Sequence, residues 1–159
     1  LRLSIVFILS EEMFMDQREH VVACARQFID VRFQHQGRSA SGLDCLGLLL
    51  ATAVTARLVF DGADVHSIDV PTYGSKPDTV LLREKLAHFL KPIALAEVRM
   101  ADVVLLKVHG SPQHLAILSD YPMAGELGMI HAYAPAGKVV EHRYDAAWRR
   151  QSYAAYRLR

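Results

Sequence analysis

The sequence predicts an α+β fold, with helices in the first half of the chain followed by an antiparallel sheet of about five strands. Three observations predict it. Apolar residues recur every three or four positions in the first half of the chain, and at every second position in segments after residue 102. Gly, Pro, Asp and Ser clusters separate those later segments, and such short connections favour antiparallel pairing.

Length and composition indicate one globular domain. The 159 residues can bury a core of their own without a disulfide framework, which two cysteines could not build. Lys and Arg number 18 against 17 Asp and Glu, so the formal charge of +1 provides no basic surface for nucleic acid. The longest apolar runs are shorter than the ~20 residues of a membrane span. We therefore expect neither a nucleic-acid partner nor a membrane span.

Residues 1–15 are the least informative part of this single domain, 1–159. Their apolar run ends at Glu11-Glu12 with no small-residue cleavage site, so we expect a strand or an ordered tail here and not a signal peptide. The pattern leaves this N-terminal extension without a definite structure.

Three helices are predicted. Residues 16–30 have an amphipathic spacing, and Cys24 beside the apolar stripe is predicted to be a buried structural thiol. After a loop over 31–43, Asp44 begins a second helix from 45 to about 60, closed by Asp61-Gly62. It is apolar nearly all round, so it should be central and buried. After a loop over 62–77, a third helix over 78–90 is capped by Asp78 and stopped by Pro92.

Strands follow at 103–108, 114–118, 129–134, 139–144 and 152–158, where apolar residues alternate or form short runs between turn residues. We expect the central helix to pack its buried flank on the sheet that these strands form.

Cys45 has the most distinctive setting in the chain. It occupies the first turn of the central helix, where backbone N–H groups and the positive helix end favour a thiolate with a lowered pKa. A bridge to Cys24 is possible by count alone. The alternative reading of Cys45 is a small buried core residue.

Two histidines could complete a thiol site. His114 begins one alternating strand and His131 lies in the next. A hairpin with its loop at 119–126 would pair His114 directly with His131, and Ala116 with Met129, close enough for one imidazole to orient the other.

At this point the residues resemble a known family. Gly42-Leu43-Asp44-Cys45-Leu46-Gly47-Leu48, Gln113-His114-Leu115-Ala116-Ile117 and Ile130-His131-Ala132 resemble the NlpC family of papain-like cell-wall cysteine peptidases. The segment from Phe33 to Ser39 is similar to the phage-tail subgroup of that family, and segments 100–106 and 139–142 are similar to its strands. The resemblance covers roughly residues 16–157.

The resemblance implies a papain-like fold and hydrolysis of peptidoglycan stem peptides, at a bond between D-γ-glutamyl and a diamino acid. It implies Cys45 as nucleophile, His114 as general base and then acid, and His131 as the group that orients His114. The Cys45 backbone N–H would help to form the oxyanion hole, and a Cys24–Cys45 bridge is disfavoured because it would disable the nucleophile. No cofactor and no metal are expected. Phage tail proteins are a further candidate partner.

One position departs from the family pattern. The family usually has a tyrosine twelve residues before the nucleophile, and Phe33 occupies that position. His35 and Tyr133 could replace the missing hydroxyl donor. Arg38 could bind a substrate carboxylate or be a solvated loop charge, and Asp44 is expected to cap the helix. The positions expected to line the substrate site are therefore Phe33, His35, Arg38, Asp44 and Tyr133.

Two alternatives to a cell-wall hydrolase stay open. One is a tail-assembly or tail-tip structural protein with little activity, which Phe33 favours. The other is a papain-like amidase or acyltransferase with a substrate outside the wall. Location is not predicted: association with a virion tail and a cytoplasmic stage before release to the wall both fit the sequence.

Overall fold

The structure is a computed structural model that describes residues 16–60, 62–69 and 78–158. The predictions for residues 1–15, for Asp61 and for residues 70–77 of the loop after it lie outside the described residues. The helices are α1 (Gln17–Arg26), α2 (Cys45–Thr55), α3 (Thr79–Phe89) and α4 (Ala146–Gln151). The strands are β1 (Arg38–Ser39), β2 (Gly42–Leu43), β3 (Lys91–Ile93), β4 (Val103–Val108), β5 (Ser111–Ser119), β6 (Gly128–Tyr133), β7 (Lys138–Arg143) and β8 (Ser152–Arg157).

The main sheet has six strands in the order β3-β8-β4-β5-β6-β7, and every neighbouring pair is antiparallel. The predicted α+β class and all five predicted strands are confirmed. The sixth strand, β3, was not predicted because Pro92 suggested only the end of a helix. Since β3 lies at the sheet edge, a proline there removes no hydrogen bond that a central strand would need.

The helix α2 ends earlier than predicted, at Thr55 and not near residue 60. Arg57 adopts a left-handed conformation with φ of 52°. The Arg57 N–H then donates to the Val54 carbonyl at 3.1 Å, and the Leu58 N–H donates to the Ala53 carbonyl at 3.0 Å. These are the two bonds of a Schellman motif. This helix end could not be predicted because Arg57 occupies the left-handed position where glycine is usual.

The two faces of the sheet bury different clusters because side chains alternate along each strand. Helices α1 and α2 pack on one face, and their apolar residues join Leu115, Ile117 and Ile130 in the main core. Alternate residues of the same strands, including Leu118 and Met129, form a smaller cluster with Trp148 of α4 on the other face. The predicted packing of the central helix on the sheet is confirmed.

Two further predictions about helices hold. Asp78 caps α3 through its side chain, and Cys24 is buried in the main core. Asp16, which the sequence analysis did not identify as a cap, caps α1 in the same way. In the described part of the chain, none of the helices combines the length and the apolar character needed to cross a bilayer.

Candidate active site

The start of α2 is built around Asp44. One carboxylate oxygen accepts the Gly47 N–H at 2.8 Å, and the other accepts the Gln36 N–H at 2.8 Å. Asp44 is buried, so these bonds are shielded from water. The predicted helix cap is confirmed, and it places Cys45 at the first helical position.

Gly47, two residues after Cys45, cannot be replaced by a larger residue for steric reasons. A Cβ at Gly47 would lie 2.0 Å from the Gly37 carbonyl oxygen, and one at Gly37 would lie 2.3 Å from the Gly42 oxygen. The loop before α2 therefore rests directly on the first turn of the helix, and only glycine permits that approach.

Arg38 holds this loop by ion pairs. Its guanidinium donates to Asp44 at 2.8 Å and to Asp69 at 2.8 and 3.0 Å, and it also donates to the Gly37 carbonyl at 2.9 Å. The side chain suggested as a ligand for a substrate carboxylate thus already bridges two carboxylates of the chain.

The Cys45 thiol does not have the lowered pKa that its helix position predicted. Burial of the sulfur and the neighbouring Asp44 carboxylate raise the pKa to about 11, although the Leu115 and Leu46 backbone N–H groups and Arg38 act in the opposite direction. The prediction was wrong because a carboxylate already occupies the helix end and burial outweighs the N–H groups. Cys24 and Cys45 are both free thiols in the structure.

The register predicted for the two histidine strands was wrong by two residues. Leu118 pairs with Met129, and Ile117 with Ile130, so His114 is not directly opposite His131. An even shift keeps each residue on its face of the sheet. His114 Nε2 and His131 Nδ1 still lie 2.7 Å apart, so the two rings are hydrogen-bonded as expected.

Backbone pairing between β5 and β6 stops at Ile117 and Ile130, although both strands continue. His114 and His131 lie beyond that point, where their hydrogen bond links the two strands. Helix α2 contacts both strands. Since the Leu115 N–H acts on the Cys45 sulfur, the thiol lies beside the backbone next to His114.

Aromatic rings enclose His131, which has no exposed surface. The Tyr133 ring stacks on it with centroids 4.9 Å apart, and the Trp148 ring meets it edge-on at 5.2 Å. Burial lowers the pKa of His131 strongly, and neighbouring histidines lower it further. Burial also lowers the pKa of His114 to about 4. Both rings are therefore neutral at pH 7.

Comparisons with solved structures agree on the fold. The NlpC/p60 domain of the peptidoglycan hydrolase SagA matches with a TM-score of 0.58 at 20% identity, over 89% of this chain and 98% of that one. An NlpC/P60 family protein from Bacillus cereus matches with a TM-score of 0.60 at 15% identity, over 89% and 40%. The chain has the NlpC/p60 fold. The peptidoglycan hydrolase RipB from Mycobacterium tuberculosis matches with a TM-score of 0.53 at 20% identity, over 89% and 64%.

The chain thus spans nearly all of the SagA domain but less than half of the Bacillus cereus protein. No family model and no curated protein sequence matches the chain. The NlpC/p60 fold is the one that the sequence resemblance implied, whereas the phage-tail subgroup stays a prediction.

Within this NlpC/p60 fold, the remaining predicted positions lie around the start of α2 and the end of β6. Phe33 is half-buried against the main core, and its N–H donates to the Gly137 carbonyl at 2.8 Å. Its backbone forms a bridge with Leu43, two residues before Cys45. His35 in the same loop is exposed, whereas Tyr133 contacts both predicted histidines, with its ring 6.5 Å from that of His114.

The sequence did not single out His142. This residue of β7 faces His131, with Nε2 atoms 2.8 Å apart. The available signal was the alternation of β7, which places it on the same face as His131 once the pairing of β6 and β7 is known. In the described part of the chain, no group of three His, Cys, Asp or Glu side chains is arranged to hold a metal ion.

Proposed function

We propose that the chain is a cysteine peptidase that hydrolyses the stem peptides of bacterial peptidoglycan. The observation that carries the proposal is a thiol at the first turn of a buried helix, beside the backbone N–H of Leu115. The residue before Leu115 is His114, whose ring is bonded to the buried His131 at 2.7 Å. The similar solved structures include proteins named peptidoglycan hydrolases, which supports the wall as the source of the substrate.

Cys45 is the nucleophile and His114 the general base in this proposal. The sulfur attacks the carbonyl carbon of the scissile amide while its proton passes to His114, so one S–C bond forms and one S–H bond breaks. The Cys45 backbone N–H makes no hydrogen bond to another described residue, which supports its role as a donor to the developing oxyanion.

His114 then acts as the acid. It returns the proton to the leaving amine as the C–N bond breaks, and a thioester on Cys45 remains. Water attacks that thioester with His114 again as base, which releases the carboxylate product and restores the thiol. His131 orients the His114 ring through the 2.7 Å bond between them.

The pKa values favour proton transfer during attack over a resting ion pair. The pKa of Cys45 is raised to about 11 and that of His114 is lowered to about 4, so both groups are neutral near pH 7. Activity should therefore decline only as the pH falls towards 4, when His114 takes up a proton and can no longer act as base.

The expected substrate bond joins a D-γ-glutamyl residue to a diamino acid. This finer assignment rests on the sequence resemblance around Cys45, His114 and His131. Digestion of purified muropeptides, read by mass spectrometry, tests it: wild type should release fragments cut at that bond. Cys45→Ala should release none, while Cys24→Ala, which changes the other free thiol, should cleave as wild type does.

Equal cleavage by wild type and Cys45→Ala would contradict the proposal. A folded wild-type protein that cleaves no muropeptide would favour the structural tail-protein alternative, for which Phe33 in place of the usual tyrosine is the supporting observation. Cleavage of amides outside the wall alone would favour the amidase or acyltransferase alternative.

A further inference from the structure

A third histidine extends the pair beyond His131. His142 Nε2 lies 2.8 Å from His131 Nε2, and His142 Nδ1 lies 2.9 Å from the carbonyl oxygen of Arg143. His131 Nδ1 in turn lies 2.7 Å from His114 Nε2. Three imidazoles therefore form one continuous chain of hydrogen bonds that ends on a backbone carbonyl.

The carbonyl end gives this chain a direction. A carbonyl oxygen only accepts hydrogen bonds, so His142 must carry its proton on Nδ1. In a neutral ring the other nitrogen is then an acceptor, and His131 must donate from Nε2.

The same argument carries over to His114. A neutral His131 that donates from Nε2 has its lone pair on Nδ1, so the bond at 2.7 Å requires His114 to donate from Nε2. The lone pair of His114 then lies on Nδ1. The Arg143 carbonyl thus determines, through His142 and His131, which nitrogen of His114 can accept a proton.

We propose that His142 is a positioning residue that sets the tautomers of His131 and His114, so that His114 keeps an unprotonated Nδ1 for the Cys45 thiol. The part concerning the thiol rests on the proposed function. The tautomer chain itself is a property of the three histidines.

Aromatic rings cover His131 beside the partly exposed His142. His131 has no exposed surface, and the Tyr133 and Trp148 rings cover it. The Trp148 ring also contacts His142, with centroids 5.4 Å apart. A buried N–H without an acceptor is costly, so loss of the His142 acceptor should drive His131 into its other tautomer.

A charged His142 would reverse the chain. It would donate from both nitrogens, His131 would then donate from Nδ1, and His114 would have to accept at Nε2 and carry its proton on Nδ1. That ring could not take a proton at Nδ1. The two arrangements predict opposite tautomers at His131 and His114, so spectroscopy can separate them.

The first test is long-range ¹H–¹⁵N correlation NMR at pH 7 on the full chain labelled with ¹⁵N-histidine. We expect a neutral His142 protonated on Nδ1, with His131 and His114 protonated on Nε2. A doubly protonated His142, or His131 protonated on Nδ1, would overturn the proposal. This readout does not depend on activity, so it decides the tautomer chain even if no muropeptide is cleaved.

The second test compares two substitutions of different chemistry. His142→Phe keeps an aromatic ring beside Trp148 but removes the acceptor, whereas His142→Gln offers an amide oxygen to His131. We expect His131 to change tautomer in His142→Phe, with kcat about 10- to 100-fold lower and KM unchanged, the range for groups that orient a reacting side chain from outside. His142→Gln should restore both the tautomer and most of kcat.

An unchanged His131 tautomer in folded His142→Phe would overturn the proposal, as would equal losses of kcat in both variants. If the wild type cleaves no muropeptide while the NMR pattern is as expected, the proposed function fails and the tautomer chain stands. If His142→Phe does not fold, the wild-type spectrum and His142→Gln still decide.

Discussion

The two faces of the sheet use neighbouring residues of the same strands for different purposes. On the face covered by α1 and α2, Leu115 and Ile117 fill an apolar core. On the other face, the half-buried His114 and the fully buried His131 are neutral, hydrogen-bonded rings. Apolar burial stabilises the fold, whereas burial of an imidazole costs free energy that hydrogen bonds only partly return. Burial thus stabilises the fold on the α1 and α2 face, whereas on the other face it keeps two imidazoles neutral, and Cys45 itself belongs to α2 and packs against the first face.

The largest expected effect is on the histidine face. His114→Gln keeps a donor for His131 but cannot take up a proton, so we expect muropeptide cleavage to fall by about 10²–10⁴-fold. His88→Gln, at an exposed histidine of α3, should cleave as wild type does. Initial rates of muropeptide cleavage, measured by chromatography, test this prediction. Full activity in His114→Gln would contradict the role of this histidine as general base.

A substitution on the apolar face should lower the stability of the fold and leave the cleavage rate unchanged. Ile117 is 2% exposed in the main core, so Ile117→Ala should lower the free energy of unfolding by about 2–5 kcal/mol. The rate per folded molecule should stay near that of wild type. Urea titration measures the free energy of unfolding, and the cleavage rate divided by the concentration of folded protein measures the activity. A large loss of that rate in fully folded Ile117→Ala would contradict this expectation.

The two faces should also differ in their response to acid. The pKa of His114 falls to about 4 in the fold, below its ordinary value of 6.5. Stability from this group is fully present above about pH 6.5 and is lost as the pH falls towards 4, because the unfolded chain binds a proton that the folded chain does not. The expected loss is on the order of 3 kcal/mol.

Urea midpoints at pH 7 and pH 4.5 measure this loss of stability. His114→Gln should lose less stability between the two pH values than wild type, whereas Ile117→Ala should lose as much as wild type because it removes no titrating group. Identical pH dependence in wild type and His114→Gln would show that this histidine is not buried in its neutral form.

The smallest expected effect concerns Phe33, which packs on the apolar core near the start of α2. If the site already has a donor in place of the usual tyrosine, Phe33→Tyr should leave kcat and KM nearly unchanged. Tyr133 is the better placed substitute because its ring stacks on His131, while His35 is exposed. A gain of about tenfold or more in kcat would contradict this and show that the donor is missing.

Local patterns were enough to predict much of the molecule. Alternation identified β4 to β8, aspartates before apolar runs identified the starts of α2 and α3, and amphipathic spacing identified α1. The end of α2 could not be predicted, because a Schellman motif with arginine in the left-handed position leaves no glycine to mark it. The face of His114 was predicted correctly although the register was two residues off, since side chains alternate with a period of two.

The sequence by itself determined which residues could do chemistry: a cysteine at a helix start and histidines on alternating strands. Only the tertiary structure decided their protonation and their partners. The pKa of Cys45 depends on how deeply the sulfur is buried beside Asp44, and burial is a property of the packed chain. Likewise, His142 joins His131 only because β6 and β7 pair in one register, which brings together side chains that are eleven residues apart in the sequence.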